Sequence, residues 1–250
     1  MTSPSERTVR EIAIEHPGSV RVFESLGIDY CCGGKRSLQQ ACERSGVALE
    51  KVVELLAQAN KEAAPVGVEN WAGAGMDVLT AHIVDQHHAY VRREAPRLAG
   101  LLEKVVSKHG AAHGELAAIR ELFTAMAEEL FAHMQKEENI LFPYLARMET
   151  AARDGRSLPA ALFGTVEAPI SRLLADHDDA GELTSRMRAL AHDYALPPEA
   201  CPTYRALYQG LEEFERDLHV HVHLENNILF PRALALEQSD AADARQPQPN

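Results

Sequence analysis

The chain contains nearly the same short segment twice, HMQKEENILFP in one place and HVHLENNILFP in another. In each copy a histidine precedes a glutamate by four residues, as His133 precedes Glu137 and His221 precedes Glu225. On an α-helix this spacing stacks two side chains on one face, one turn apart. The repeat therefore predicts two similar helices, each of which presents an imidazole and a carboxylate to the same side.

Four long stretches carry apolar residues at helical spacing, and none alternates as a half-buried strand would. The four predicted helices cover residues 76–107, 113–148, 165–194 and 202–236. Pro202 suits the first turn of the last helix, whereas Pro96 predicts a kink or a local break inside the first. Four long helices with short to moderate connections predict an all-α fold, an antiparallel four-helix bundle.

A smaller helical domain is predicted ahead of the bundle, at residues 1–60. Its helices are expected at 8–15, 19–26, 38–45 and 49–60, with a loop where paired glycines free the backbone after Cys31 and Cys32. Composition further predicts a linker at 61–75, the bundle at 76–237 and a disordered tail at 238–250.

Each long helix carries one histidine on its apolar seam, traced in steps of three and four residues. These histidines are His88, His133, His177 and His221, and two of the helices add Glu137 and Glu225 one turn later. The seams also include Val84 on the first helix, and Ile140 and Tyr144 on the second. Each half of the bundle thus repeats a helix with a lone histidine followed by a helix with the pair.

The same geometry assigns ordinary roles to the other histidines. His219 and His223 lie about 200° around the helix from His221, so both are expected to face solvent. His87 lies about 100° from the seam, which favours His88 as the inward residue. The remaining histidines fall off the seams, in connections or at helix ends: His16, His82, His109, His113 and His192.

The six inward polar residues are best explained by bound metal. A single buried histidine or glutamate usually has a structural role, but two buried carboxylates without Lys or Arg on the same seams would cost several kcal/mol each. Cations remove that cost. Four imidazoles and two shared carboxylates, without thiolates, suit two iron or manganese ions and exclude a cysteine-rich zinc or iron–sulfur site in the bundle. Zinc remains open on ligand type alone.

The charge and hydrophobicity of the chain argue against nucleic acid and membranes as partners. The formal net charge of -12 provides no basic stripe for nucleic acid. No window is apolar enough for a membrane span, and the polar N-terminus lacks the apolar stretch of a secretory signal.

Of the four cysteines, Cys31 and Cys32 are adjacent, and bridging them would strain the intervening peptide. The cysteines are interpreted as thiols in a reducing cytoplasm.

The run Asp29-Tyr30-Cys31-Cys32-Gly33-Gly34-Lys35, followed by a hemerythrin-like bundle, resembles the iron–sulfur cluster repair di-iron proteins of the RIC family. The segments HDDAGEL from His177 and ENNILFPRAL from Glu225 support the resemblance, which extends over about 7–236. It implies that the six seam residues bind two non-haem iron ions, bridged by both glutamates and an oxo or hydroxo group. It also implies repair of clusters damaged by oxidative or nitrosative stress, with damaged iron–sulfur proteins as partners and iron donation as the mechanism.

Within this resemblance, Cys31 and Cys32 are candidate redox or iron-handling thiols, favoured as thiolates by a nearby helix start. Cys42 and Cys201 are assigned to packing and structure. Two other functions stay open. One is a di-iron enzyme that reduces nitric oxide or peroxide, and the other is a hemerythrin-type sensor of oxygen or iron. The sequence does not decide between turnover and donation, and it leaves a homodimer open.

Overall fold

The computed structural model describes residues 5–59 and 71–243. Over these ranges the chain forms four short helices followed by four long ones, and its only β-type pairing consists of two isolated bridges, Thr8 with Ser37 and Ala161 with Gly164. The all-α prediction is confirmed. No helix in the described ranges combines the length and hydrophobicity that a membrane span requires.

The short helices pack around their own apolar core, which includes Phe23, Tyr30 and Leu38. Two of them begin at reciprocal caps. At the first, the Thr8 hydroxyl accepts from the Glu11 amide at 3.2 Å, and the Glu11 carboxylate accepts from the Thr8 amide at 2.8 Å. The helices are α1 Val9–Glu15, α2 Ser19–Ser25, α3 Leu38–Ser45 and α4 Leu49–Ala59.

The long helices match the predicted order, with later ends than predicted for three of them. They are α5 at 76–109, α6 at 115–153, α7 Glu167–Leu190 and α8 at 202–243. Of the predicted kink or local break at Pro96, the break is absent, because α5 continues through this residue. Residues 238–243 continue α8 rather than forming the predicted tail, and residues 244–250 lie outside the described ranges. Residues 61–70 of the predicted linker also lie outside the described ranges. Near the end of the linker, Trp71–Gly73 form a short helical turn.

Three of the long helices contain π-helical segments: Ile83–His88 in α5, Glu137–Leu141 in α6 and Leu224–Leu229 in α8. A π-turn adds a residue to one turn and rotates the following side chains, and such turns are frequent at functional sites. The seam predicted with ideal α-helical steps is therefore wrong at Val84 and Ile140, whereas Tyr144 is buried as predicted. Ile140 is 54% exposed and Leu141 is buried in its place, while Ile83 is buried and Val84 is only half-buried.

The bundle interior consists of two apolar clusters that are separated by the six predicted ligands. On α5, Ile83 belongs to one cluster and Val91 to the other, with His88 between them. On α7, Leu173 and Ala180 flank His177 in the same way. The polar residues thus form a layer across the bundle with apolar packing on both sides, which shields that layer from water along the bundle axis.

The N-terminal loop packs against α8 and buries a face predicted to be exposed. His223 is only 5% exposed and His219 is half-buried, so the expectation that both face solvent is wrong. The Tyr30 ring lies 5.4 Å from the His223 ring, and Asn227 donates to the Tyr30 carbonyl at 2.9 Å. The loop covers the side of α8 that faces away from the seam, and the periodicity of the bundle helices does not predict this contact.

Candidate metal centre and thiol loop

The structure brings all six predicted ligands together in the centre of the bundle. Each is at most 2% exposed. They come from all four long helices: His88 from α5, His133 and Glu137 from α6, His177 from α7, and His221 and Glu225 from α8. Two of the π-helical segments begin within one residue of a glutamate, and the third ends at His88. The local backbone therefore sets the direction of these ligands.

The four imidazoles form two pairs through their Nε2 atoms. His88 and His221 approach to 3.2 Å, and His133 and His177 approach to 3.0 Å. Each pair combines with both glutamates into a group whose ligand atoms all lie within 4.8 Å of one another. Two cation positions are thus defined, and the two groups share the same carboxylates.

Each glutamate directs one oxygen to each histidine pair. Glu137 places Oε2 3.4 Å from His88 Nε2 and Oε1 3.2 Å from His133 Nε2. Glu225 places Oε1 3.0 Å from His221 Nε2 and Oε2 3.0 Å from His177 Nε2. Both carboxylates therefore span the two positions, as bridging ligands of a pair of cations would.

The buried polar atoms fit a pair of cations. Both oxygens of Glu137 and Oε2 of Glu225 are buried without a hydrogen bond of acceptable geometry to any described residue, although imidazole nitrogens lie close by. Burial raises the pKa of Glu225, but His221 and His177 outweigh it and hold that pKa well below its usual range. Burial lowers the pKa of His133, and Glu137 more than reverses this, to about 9. The cluster thus attracts positive charge.

In two of the ligand histidines, the ring nitrogen that faces away from the cluster, Nδ1, contacts the residue directly after one of the two glutamates. Nδ1 of His88 lies 2.6 Å from Oε1 of Glu138, and Arg92 donates to the same oxygen at 2.7 Å. Nδ1 of His177 lies 2.7 Å from Oδ1 of Asn226. Such outer contacts fix the ring orientation and direct Nε2 toward the cation.

The other two ligand histidines differ in their outer contacts. Nδ1 of His133 lies 3.4 Å from Oδ2 of Asp176, which also accepts from Lys136 at 2.9 Å. Nδ1 of His221 is buried and has no hydrogen-bond partner within residues 5–59 and 71–243. The ring of His221 instead stacks on His87 at 5.6 Å with an interplanar angle of 7°. The two predicted positions are therefore chemically inequivalent.

His87 is a buried neighbour of the centre that the spacing of the apolar seam did not select. Its Nδ1 lies 3.0 Å from Oδ1 of Asp217. The π-helical segment that ends at His88 contains both adjacent histidines, and both are buried; His88 lies in the cluster and His87 lies beside it. Two adjacent histidines on a bundle helix were the available signal.

The candidate thiols lie in the loop between α2 and α3. Sγ of Cys31 and Sγ of Cys32 are 3.8 Å apart, and Oδ1 of Asp29 accepts from the Cys32 amide at 3.0 Å. The Cys32 thiol and burial raise the pKa of Cys31 well above its usual range. Burial beside the Cys32 thiol therefore opposes the thiolate that the nearby helix start is expected to favour at Cys31.

The thiol loop contacts the backbone of His177, one of the candidate metal ligands. The Cys32 thiol lies 3.9 Å from the carbonyl oxygen of His177, and Asn226 donates to the Cys31 carbonyl at 3.4 Å. Asn226 thus contacts both the loop and His177. The fold therefore brings together two motifs that are far apart in the sequence.

The other two cysteines are free thiols with different surroundings. Cys42 is buried in the N-terminal core, as its packing assignment predicts. Cys201 precedes α8 and lies 3.3 Å from Nε2 of His109. The Tyr204 amide at the helix start and His109 lower the pKa of Cys201 to about 7.

Comparison with known proteins places this architecture in a family. The hemerythrin HHE cation-binding domain matches residues 79–233, and a domain of unknown function, DUF542, matches residues 5–60. The iron–sulfur cluster repair protein YtfE of Pectobacterium carotovorum is 37% identical over 230 residues, which is 92% of this chain and 97% of the relative. The chain belongs to the YtfE family.

Further YtfE relatives agree over nearly their whole length. The protein of Edwardsiella ictaluri is 37% identical, with 92% of this chain and 97% of the relative covered. That of Salmonella newport is 34% identical, with 93% and 98% covered. The hemerythrin match contains all six clustered residues, and the DUF542 match contains the thiol loop. This YtfE-family chain therefore combines a cation-binding bundle with a separate cysteine-containing module.

Proposed function

We propose that this protein holds two iron ions in its bundle and repairs damaged iron–sulfur clusters by supplying iron. The observation that carries the proposal is the pair of histidine groups that share two spanning carboxylates beside a loop with two thiols. The YtfE relatives are named iron–sulfur cluster repair proteins, which supports the same function.

The residues divide into two sets around the shared carboxylates. His88 and His221 would hold one ion, His133 and His177 the other, and Glu137 and Glu225 would bridge them. Imidazole with carboxylate suits iron among the common metals of the cell, and bound iron would supply transferable metal and one-electron redox chemistry. The surrounding apolar clusters limit solvent access, which favours retention until a recipient engages the protein.

The proposed recipients are iron–sulfur proteins whose clusters have lost iron through oxidative or nitrosative damage. Cys32 is half-buried and Asp29 exposed, so the loop offers sulfur and oxygen ligands near the outside. The same loop reaches His177 through Cys32 and Asn226. Its position gives the bundle a chemically suitable route toward a recipient's thiolates.

The test is a repair assay with an oxidatively inactivated iron–sulfur dehydratase under anaerobic conditions. The full-length iron-loaded protein should restore activity faster than the same amount of free ferrous iron. A Glu137→Ala/Glu225→Ala variant exposed to iron should not exceed the free-iron rate, because its carboxylate bridges are gone. Cys201→Ser should behave as the unmodified protein does. Recovery by the unmodified protein no better than free iron would refute donation.

A second function, reduction of nitric oxide or peroxide, is favoured by the number of protein ligands. Each position has two histidine nitrogens and two carboxylate oxygens within reach, which leaves room for a small diatomic or peroxide ligand. Steady-state consumption of anaerobic nitric oxide, or of peroxide, with a chemical reductant would support this activity. A single turnover per chain would exclude it and leave donation as the function.

A further inference from the structure

The thiol loop contains a cluster of potential metal ligands outside the bundle. One oxygen of Asp29 and the sulfurs of Cys31 and Cys32 all lie within 4.8 Å of one another. Oδ1 of Asp29 is 3.6 Å from Sγ of Cys31, and the sulfurs are 3.8 Å apart. Three ligand atoms at these separations are close enough to share one cation after small side-chain rotations.

The backbone of the loop is held in place before any cation binds. The Cys32 amide donates to Asp29 at 3.0 Å, which fixes the turn. Asn227 donates to the Tyr30 carbonyl at 2.9 Å, and Asn226 donates to the Cys31 carbonyl at 3.4 Å. Contacts from α8 thus hold the peptide carbonyls immediately before and after the Cys31 side chain, so little ordering is needed on binding.

The donor set differs from that of the bundle. Two sulfurs and one carboxylate favour a borderline or soft divalent cation such as ferrous iron, zinc or cadmium over magnesium or calcium. Cys31 is buried, Cys32 half-buried and Asp29 exposed, so the cluster opens on one side. Three protein ligands with an open side leave a fourth position for a ligand from another molecule.

We propose that Asp29, Cys31 and Cys32 form a third cation site that binds one divalent metal separately from the pair in the bundle. Binding forms two metal–sulfur bonds and one metal–oxygen bond, and the two thiol protons pass to solvent, without oxidation or reduction. If the proposed repair function holds, this site is the transfer position. Its cation leaves for a recipient's thiolates, and the two protons return to the loop.

The proposal is tested with cadmium on the full-length protein after its bundle has been loaded with iron, under anaerobic conditions with a phosphine reductant. Cadmium bound to thiolate gives sulfur-to-metal absorption in the ultraviolet, which reports this site and not the histidine–carboxylate groups. We expect one cadmium per chain after desalting, with that absorption and without loss of iron. Cadmium uptake matched by iron loss, or no thiolate absorption, would overturn the proposal.

Matched variants assign the ligands. Cys31→Ser and Cys32→Ser should each abolish tight cadmium binding, and Asp29→Asn should weaken it by roughly 10-fold or more. Cys201→Ser removes a thiol elsewhere and should leave binding unchanged. Cys31 is buried, so its substitution could disturb folding, and circular dichroism and the melting temperature are used to check that each variant is folded. Asp29 is exposed, so Asp29→Asn tests the site without changing the core. Thiolate absorption that persists in a folded Cys31→Ser/Cys32→Ser protein would refute the assignment.

The repair assay distinguishes cation binding at the thiol loop from the proposed role of the loop in repair. Cadmium binding at the loop together with failed repair would retain the site and refute the proposed function. Full repair by the folded double-serine variant would retain the function and refute transfer through the loop. Loss of both cadmium binding and repair acceleration in that variant, with iron content unchanged, is the result expected if both proposals are correct.

Discussion

Asn226 accepts a hydrogen bond from Nδ1 of His177 at 2.7 Å, and its amide nitrogen donates to the Cys31 carbonyl at 3.4 Å. The corresponding position of the first sequence copy is Glu138, which faces Nδ1 of His88 at 2.6 Å. A carboxylate can accept from the imidazole but cannot donate to a carbonyl. The two copies therefore differ where the thiol loop contacts the second one.

Replacing Asn226 by aspartate should loosen the loop without emptying the bundle. The new carboxylate can still accept from His177, but it faces the Cys31 carbonyl with an acceptor in place of a donor. We expect faster hydrogen exchange of the backbone in residues 28–37 and unchanged metal content. Asn139→Asp, at an exposed position of the first copy, is the control. Equal exchange in both variants would contradict the link.

Glu137→Ala and Glu225→Ala should each weaken metal retention by roughly 10- to 100-fold or more. Each glutamate directs one oxygen to each histidine pair, so one substitution weakens both positions. Elemental analysis after dialysis against a chelator measures the effect. Metal content equal to that of the unmodified protein would show that the substituted carboxylate does not bridge.

His223→Ala should reduce stability but not metal content. The His223 ring is buried against Tyr30, and its Nδ1 lies 2.9 Å from Nδ2 of Asn227. Its removal leaves a cavity and removes the acceptor of one of the two Asn227 amide hydrogens, while the other still donates to the Tyr30 carbonyl. The loss should lower the free energy of unfolding by about 1–3 kcal/mol. Denaturant unfolding followed by metal analysis tests both parts. His219→Ala, at a half-buried position, should have the smaller effect on stability.

Gly34→Ala should displace the thiol loop, because an added Cβ would lie 2.8 Å from the Tyr30 carbonyl oxygen and 3.0 Å from Oδ1 of Asn227. We expect a lower melting temperature and weaker packing of the loop on α8. Gly100→Ala is the matched control, since no atom in the part of the chain that the structure describes lies within 4 Å of an added Cβ there. In the middle of α5 that change should raise stability by about 0.5–1 kcal/mol.

Cys201 should be the thiol most readily alkylated near neutral pH. Because its pKa is lowered to about 7, its thiolate fraction rises through pH 7 and approaches a plateau above pH 8. The pKa of Cys31 is raised, so Cys31 should remain a thiol over this range. Mass spectrometry of iodoacetamide-treated protein gives the rate at each cysteine. His109→Ala should move the Cys201 profile to higher pH.

The six clustered residues were predictable because a bundle seam repeats along each helix. A polar residue on such a seam faces the bundle interior whatever the exact positions of the neighbouring helices. The spacing alone was therefore sufficient to select His177 or Glu225. The π-helical segments were not predictable in this way. Their extra residue per turn reverses the roles of Ile140 and Leu141, and the sequence pattern of both positions is equally apolar.

The sequence by itself determined the four long helices, the inward direction of the one seam histidine on each, and the presence of a glycine-flanked thiol loop, because these follow from local periodicity and backbone freedom. Only the tertiary structure decided which histidines pair, how each carboxylate spans both pairs, and that the loop covers His223 and reaches His177. Those relationships join residues far apart in the chain. They depend on how separate elements pack, which no local spacing specifies.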